Sequence, residues 1–167
     1  MTKTTRQTRS SRDLRTLLHV PQHDLQAQVA TRLERLGFPQ LRPAHVQLLS
    51  AIGPDINTGV RLADLVTAVS LPKQTVGDLI DDLETMRMVE RFPDPDHGVI
   101  KRVRLGAKGK VWAAEVRRVA AATEARWATQ LGSKKMKSLR ALLEELAATV
   151  EEQKPGSRVN GVHRKRG

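Results

Sequence analysis

Residues 61–105 read RLADLVTAVSLPKQTVGDLIDDLETMRMVERFPDPDHGVIKRVRL, and this stretch decides the fold. Leu62 to Val69 has the composition and spacing of a short helix. Ser70-Leu71-Pro72 then makes a tight turn, and a second helix runs from about Pro72 to Met86. On that helix Val76, Leu79, Ile80 and Leu83 fall at 3–4 spacing and predict a buried face, which leaves Lys73, Gln74, Thr75, Asp78 and Asp82 outside. Val89 to Phe92 and Val99 to Leu105 alternate as strands around a turn from Pro93 to Gly98. Helix, turn, helix and hairpin in this order are the layout of a winged helix, which reads DNA with its second helix in the major groove.

The outer segments read as helices. Ser10-Ser11-Arg12-Asp13 has the form of a helix start before Leu14, Leu17 and Leu18, and Pro21 is expected to stop or kink that helix. A longer helix follows from about Pro21 to Leu36, with Leu25, Val29, Leu33 and Leu36 on one face and Gly37 at its end. Pro43 opens another helix whose expected buried stripe is Val46, Leu49 and Ile52, and residues 54–60 read as loop. Beyond the hairpin, residues 107–131 form one long helix with Trp112, Val116, Val119, Thr123 and Trp127 in a stripe. A last helix from about Lys134 to Glu152 carries Leu139, Leu142, Leu143, Leu146 and Val150 in register.

The wording of the central stretch resembles the MarR family of bacterial transcriptional regulators: a KQT helix start at Lys73, a leucine–glutamate pair at Leu83-Glu84, Val89-Glu90-Arg91, and a turn with Asp94-Pro95-Asp96 where the family's wing usually has D-P-x-D. The likeness covers roughly residues 21–152. It implies a mainly α fold, a winged helix-turn-helix with a two-stranded β wing, flanked by N- and C-terminal dimerisation helices. It further implies a homodimeric, sequence-specific regulator of double-stranded DNA, more often a repressor, with a near-palindromic operator. A small aromatic or anionic effector is the ligand class that goes with it, and the sequence singles out no residue for such a ligand. Both tryptophans read as core.

The residue chemistry fits DNA recognition. Gln74 can pair with adenine N6 and N7, Thr75 can meet a base or a thymine methyl, and Asp78 can accept from cytosine N4. Lys73 suits a phosphate, and Gly77 would let the backbone approach the groove floor. Lys101, Arg102 and Arg104 are the cations expected beside the groove. The chain departs from the family pattern at three places. Val99 follows Gly98 where the family has a minor-groove arginine, so that contact would fall to Lys101 or His97. Arg87 stands in place of a glycine at the end of the second helix, and Gly106 in place of a capping threonine. An alternative from another class is a winged-helix module that has lost base reading and works through protein contacts or bulk charge.

Composition sets the outer limits. The 167 residues are enough for one domain with tails, and the absence of cysteine excludes disulfides and thiolate–metal sites. The formal charge is +11, but residues 1–12 hold +4 and residues 153–167 hold +5 with no acid, so residues 13–152 are close to balanced. The expected organisation is therefore a basic disordered tail at 1–12, a dimer-forming winged-helix domain at 13–152, and a second such tail at 153–167. No apolar run has the length of a membrane span, and a cytoplasmic location is expected. No phosphate-cradling loop, nucleophile elbow or clustered acid–base pair appears, so neither catalysis nor a cofactor is expected. His19 and His23 have the i, i+4 spacing of a helical metal pair, but Pro21 between them is expected to spoil the helix, and no metal is assigned. Asp94 and Asp96 read as turn residues rather than a cation loop.

Overall fold

The computed structural model describes residues 12–53, 58–95 and 98–152; the expected tails at 1–12 (but for Arg12) and 153–167, most of the expected loop at 54–60, and Asp96 and His97 of the expected turn lie outside these residues. The elements in order are α1 (Leu14–Arg35), α2 (Pro43–Ile52), β1 (Val60–Arg61), α3 (Leu62–Val69), α4 (Lys73–Thr85), β2 (Val89–Pro93), β3 (Lys101–Leu105), α5 (Ala107–Leu131) and α6 (Ser133–Glu152). Two compact units divide within α5, the first ending at Ala121 and the second starting at Ala122.

The core of the first unit follows the helical spacing. Leu48, Leu49 and Ile52 of α2, Leu65 and Val69 of α3, and Val76, Leu79, Ile80 and Leu83 of α4 are all buried, and Val89, Val103 and Leu105 bring in the sheet. On α2 the buried stripe is shifted from the expected one: His45 and Leu48 turn inward and Val46 is exposed. His45 can enter because its Nδ1 accepts from the Arg42 amide at 3.3 Å, which satisfies the buried ring.

The β2–β3 hairpin forms the two-stranded wing, and the short β1 adds a third strand on the other side of β3, giving a sheet in the order β1–β3–β2. Val60 pairs with Val103 and Arg61 with Arg102, while Val89 lies opposite Leu105 and Phe92 opposite Arg102, all antiparallel. β1 is only two residues long, too short for a period-2 pattern, and so the segment reads as loop by sequence. β3 begins at Lys101, and Val99 belongs to the turn.

Pro21 does not end a helix. α1 is continuous from Leu14 to Arg35 with Pro21 inside it, and its cap is Asp13, whose carboxylate accepts from the Thr16 amide at 2.7 Å. Proline removes one amide donor, but residues 17–23 are exposed, so water can serve the carbonyl left over. A consequence is that His19 and His23 do lie on one helical face, with ring centroids 5.8 Å apart.

Two glycines fix how α5 starts. A Cβ on Gly106 would come within 2.8 Å of the Arg87 carbonyl oxygen, and one on Gly109 within 1.9 Å of that of Met88. Gly106 also donates its amide to the Met88 carbonyl at 2.9 Å. The backbone is therefore too close for a capping threonine at 106. Arg87 takes the left-handed conformation at φ 58°, without the glycine that would adopt it freely.

In the second unit, Gly132 separates α5 from α6, and Arg140 Nε donates to Glu124 Oε1 at 3.1 Å. Thr123 is buried and Trp127 half-buried, whereas Leu139, Leu142, Leu143, Leu146 and Val150 of α6 are all exposed. No helix among the described residues is long and apolar enough to cross a membrane.

Candidate nucleic-acid interface

The turn between α3 and α4 sets the second helix apart from the first. Ser70 takes the left-handed conformation, and its amide donates to the Val66 carbonyl at 3.1 Å. Pro72 precedes the first residue of α4, and no side chain caps that helix, so its first-turn amides are open to an external acceptor. Lys73, Gln74, Thr75 and Asp78 are all exposed on the face opposite the buried Val76, Leu79, Ile80 and Leu83. Gln74 Nε2 donates to Asp78 Oδ1 at 3.1 Å, which holds the amide along the helix face. At Gly77 a Cβ would meet nothing within 4 Å on the protein side.

The acids in the second half of α4 are largely tied up. Asp82 is ion-paired with Arg42, and His45 Nε2 lies 3.4 Å from the same oxygen. Arg91 of β2 reaches Asp81 and Glu84 at 2.6 Å each, and its amide donates to Glu84 at 3.2 Å. Arg42 and Arg91 thus offset the negative charge that would repel a phosphate backbone. Sequence reasoning missed both roles: Arg42 is forty residues from its partner, and no local pattern connects the two.

The three wing cations differ in their partners within the chain. Arg102 Nε donates to the buried Asp94 at 2.9 Å, and its Nη1 donates to the carbonyls of Thr58 and Gly59 at 3.0 and 3.2 Å. Arg61 donates to the same Asp94 oxygen at 2.9 Å, so one carboxylate ties β1, β3 and the end of β2 together. Arg104 donates to Glu90 at 2.6 Å and stacks over the Phe92 ring at 4.6 Å. Both wing arginines are half-buried struts; Lys101 is the exposed cation of β3. Val99 is 96% exposed.

Elsewhere in the first unit, Leu36, Gly37 and Phe38 face Ala107, Lys108 and Val111 across an open apolar groove of about 450 Å³. Trp112 is part of the buried core, and its Nε1 has no acceptor among the described residues. Arg32 of α1 donates to Glu115 of α5 at 2.7 Å, and that hydrogen bond holds the Glu115 carboxyl below the usual range despite partial burial. No group of three histidine, aspartate or glutamate side chains suited to a metal occurs among the described residues.

No protein-family model and no curated protein matches the sequence. Solved structures do match the fold. A MarR crystal structure is 20% identical, covers 85% of this chain and 100% of its own, and superposes with a TM-score of 0.63. The transcriptional regulator Tm0710 from Thermotoga maritima is 21% identical over 83% of this chain and 94% of its own, with a TM-score of 0.59. A MepR–DNA complex from S. aureus is 17% identical over 81% of this chain and 98% of its own, with a TM-score of 0.61. The chain has the winged-helix fold of these proteins over most of its length.

Proposed function

We propose that the chain is a homodimeric, sequence-specific DNA-binding transcriptional regulator of the MarR type. The observation that carries this reading is the start of α4, an uncapped helix end that presents Lys73, Gln74 and Thr75 free of the core. The fold it shares with MepR, of which a DNA complex has been solved, supports it. Gln74, Thr75 and Asp78 read base edges, and Gly77 lets the helix sit close to the groove floor. Lys73 and the first-turn amides hold a phosphate, and Lys101 supplies the wing contact. Arg102 and Arg104 act one step back by keeping the wing rigid.

A second copy of the chain is the natural cover for the outer helices. Leu14, Leu17, Leu18 and Val20 of α1 and the five apolar residues of α6 are exposed, and no residue of α1 is fully buried. A two-fold dimer would place two α4 helices in successive major grooves about 10 base pairs apart, hence a near-palindromic operator. Repression by occupying a promoter is the mode the family likeness favours. The groove that holds Lys108 among apolar walls suits a small aromatic anion, which would act through different affinities for two spacings of the DNA-reading lobes. The basic ends of the chain add phosphate affinity without sequence preference.

One observation favours a second reading. The exposed Val99 offers no cation to the minor groove, as expected of a module that binds all DNA alike or none. Binding to the chain's own promoter region against scrambled DNA of equal length, titrated with salt, separates the two. The regulator keeps its preference for the promoter as overall affinity falls with salt, whereas equal affinity at every salt concentration refutes it.

A further inference from the structure

We propose that His19 and His23 form a divalent transition-metal site on α1, of the class that takes Cu²⁺, Ni²⁺ or Zn²⁺, and that the bound ion clamps the helix across Pro21. Residues four apart on a helix stand one above the other, and here the continuity of α1 through Pro21 delivers that alignment. The two rings lie 5.8 Å apart at 27° to each other, and both side chains are exposed. Two imidazole nitrogens on one face can converge on a single ion at about 2.0–2.1 Å, with small side-chain rotations. No third protein ligand joins them among the described residues, and water can complete the coordination of an ion held by two nitrogens. The donor set is two borderline nitrogens with no thiolate in the whole chain. It therefore prefers Cu²⁺ over Ni²⁺ and Zn²⁺ and has little affinity for Ca²⁺ or Mg²⁺.

The position of the pair gives the ion something to do. Pro21 lies midway between the ligands and lacks the amide that would serve the Leu17 carbonyl, so this turn has one backbone hydrogen bond fewer than a regular one. A chelate from residue 19 to residue 23 spans that gap, and any ion held only by the helical arrangement stabilises it by mass action. The stabilised turn carries the exposed Leu17, Leu18 and Val20. Metal occupancy thereby firms up an apolar surface that an unclamped helix would present less steadily. The site stands on the geometry of α1 alone and does not depend on the DNA reading.

The test uses the intact, untagged chain titrated with Cu²⁺ alone, followed by calorimetry and electron paramagnetic resonance, with His19→Ala, His23→Ala and His163→Ala compared. Linking two ligands makes the second bond intramolecular, so either helix variant is expected to lose roughly 10²-fold in affinity. The two-nitrogen signature should become a one-nitrogen one, while His163→Ala binds as the parent does. Zn²⁺ should also slow amide exchange over residues 18–24 in the parent and not in His19→Ala. Unchanged binding in both helix variants, or loss only in His163→Ala, overturns the site. Binding without slower exchange overturns the clamp. Both histidines are exposed, so the variants are expected to fold, and far-ultraviolet circular dichroism checks that they do.

Discussion

Replacing Asp94 by alanine should loosen the wing and lower the stability of the whole domain. The Asp94 side chain is fully buried, and one of its oxygens accepts Nε–H donors from Arg61 and Arg102 at 2.9 Å each. A hydrogen bond to a charged group contributes about 1.5–3 kcal/mol, so two such bonds set an upper bound near 6 kcal/mol. The loss should be smaller than that bound. The Arg61 side chain is 39% exposed and can recover water, while Arg102, at 20%, keeps the carbonyls of Thr58 and Gly59. A destabilisation of about 2–4 kcal/mol remains, since breaking a buried pair leaves charge without its counterpart. For a chain of this length that corresponds to a drop in Tm of roughly 5–15 °C. Urea unfolding should show a lower midpoint with an unchanged slope, and Asp94→Asn, which keeps a neutral acceptor, should fall between the two. A loss below about 0.5 kcal/mol in both variants would refute the role of this carboxylate as the strut of the sheet.

Three other substitutions probe separate features. Arg87→Gly should stabilise by about 0.5–1 kcal/mol in urea unfolding, because the relief of a left-handed arginine exceeds the entropy glycine adds to the unfolded chain. Gly109→Ala should destabilise by about 3 kcal/mol or more, since its Cβ would meet the Met88 carbonyl oxygen at 1.9 Å and backbone cannot step aside cheaply; normal stability would mean that α5 starts farther from β2. Glu115→Gln should flatten the acid side of the stability profile. The Glu115 pKa is depressed in the folded state by the Arg32 hydrogen bond, so its stabilisation is present above the ordinary carboxylate range and is lost as pH falls through that range toward the folded value. Thermal melts between pH 3 and 7 check this as a steeper acid decline in the parent than in the variant.

The helices of the helix-turn-helix are legible because each carries its own punctuation. Leu62 to Val69 and the four buried residues of α4 follow a helical period, and Pro72 marks a boundary that no packing detail alters. Pro21 reads as a helix breaker in the sequence, yet its turn is exposed, and an exposed turn tolerates a missing amide. The continuity of α1 through Pro21 is also what aligns His19 with His23. On α2, the apolar Val46 is exposed and the polar His45 buried, an inversion that depends on a hydrogen bond from the Arg42 amide and not on hydropathy. The wing was readable as strands, but the commitments of Arg102 and Arg104 were not. Alternation showed that both point away from Val103 and Leu105, yet their partners, Asp94 and Glu90, are fixed only by the register of the sheet. The unusual residues at 87 and 106 stood out by comparison with the family pattern. The close approach that bars a threonine at 106 appears only once the chain is folded.

The most direct test of the central claim is the affinity of Gln74→Ala and Thr75→Ala for promoter DNA and for scrambled DNA, measured side by side at fixed salt. A good base contact contributes about 1–3 kcal/mol of discrimination, or roughly 5- to 150-fold. The account predicts a loss of that size on the promoter for at least Gln74→Ala, with binding to scrambled DNA unchanged. Equal affinities for the parent and both variants on the promoter, or a parallel loss on both DNAs, would contradict α4 as the element that reads sequence.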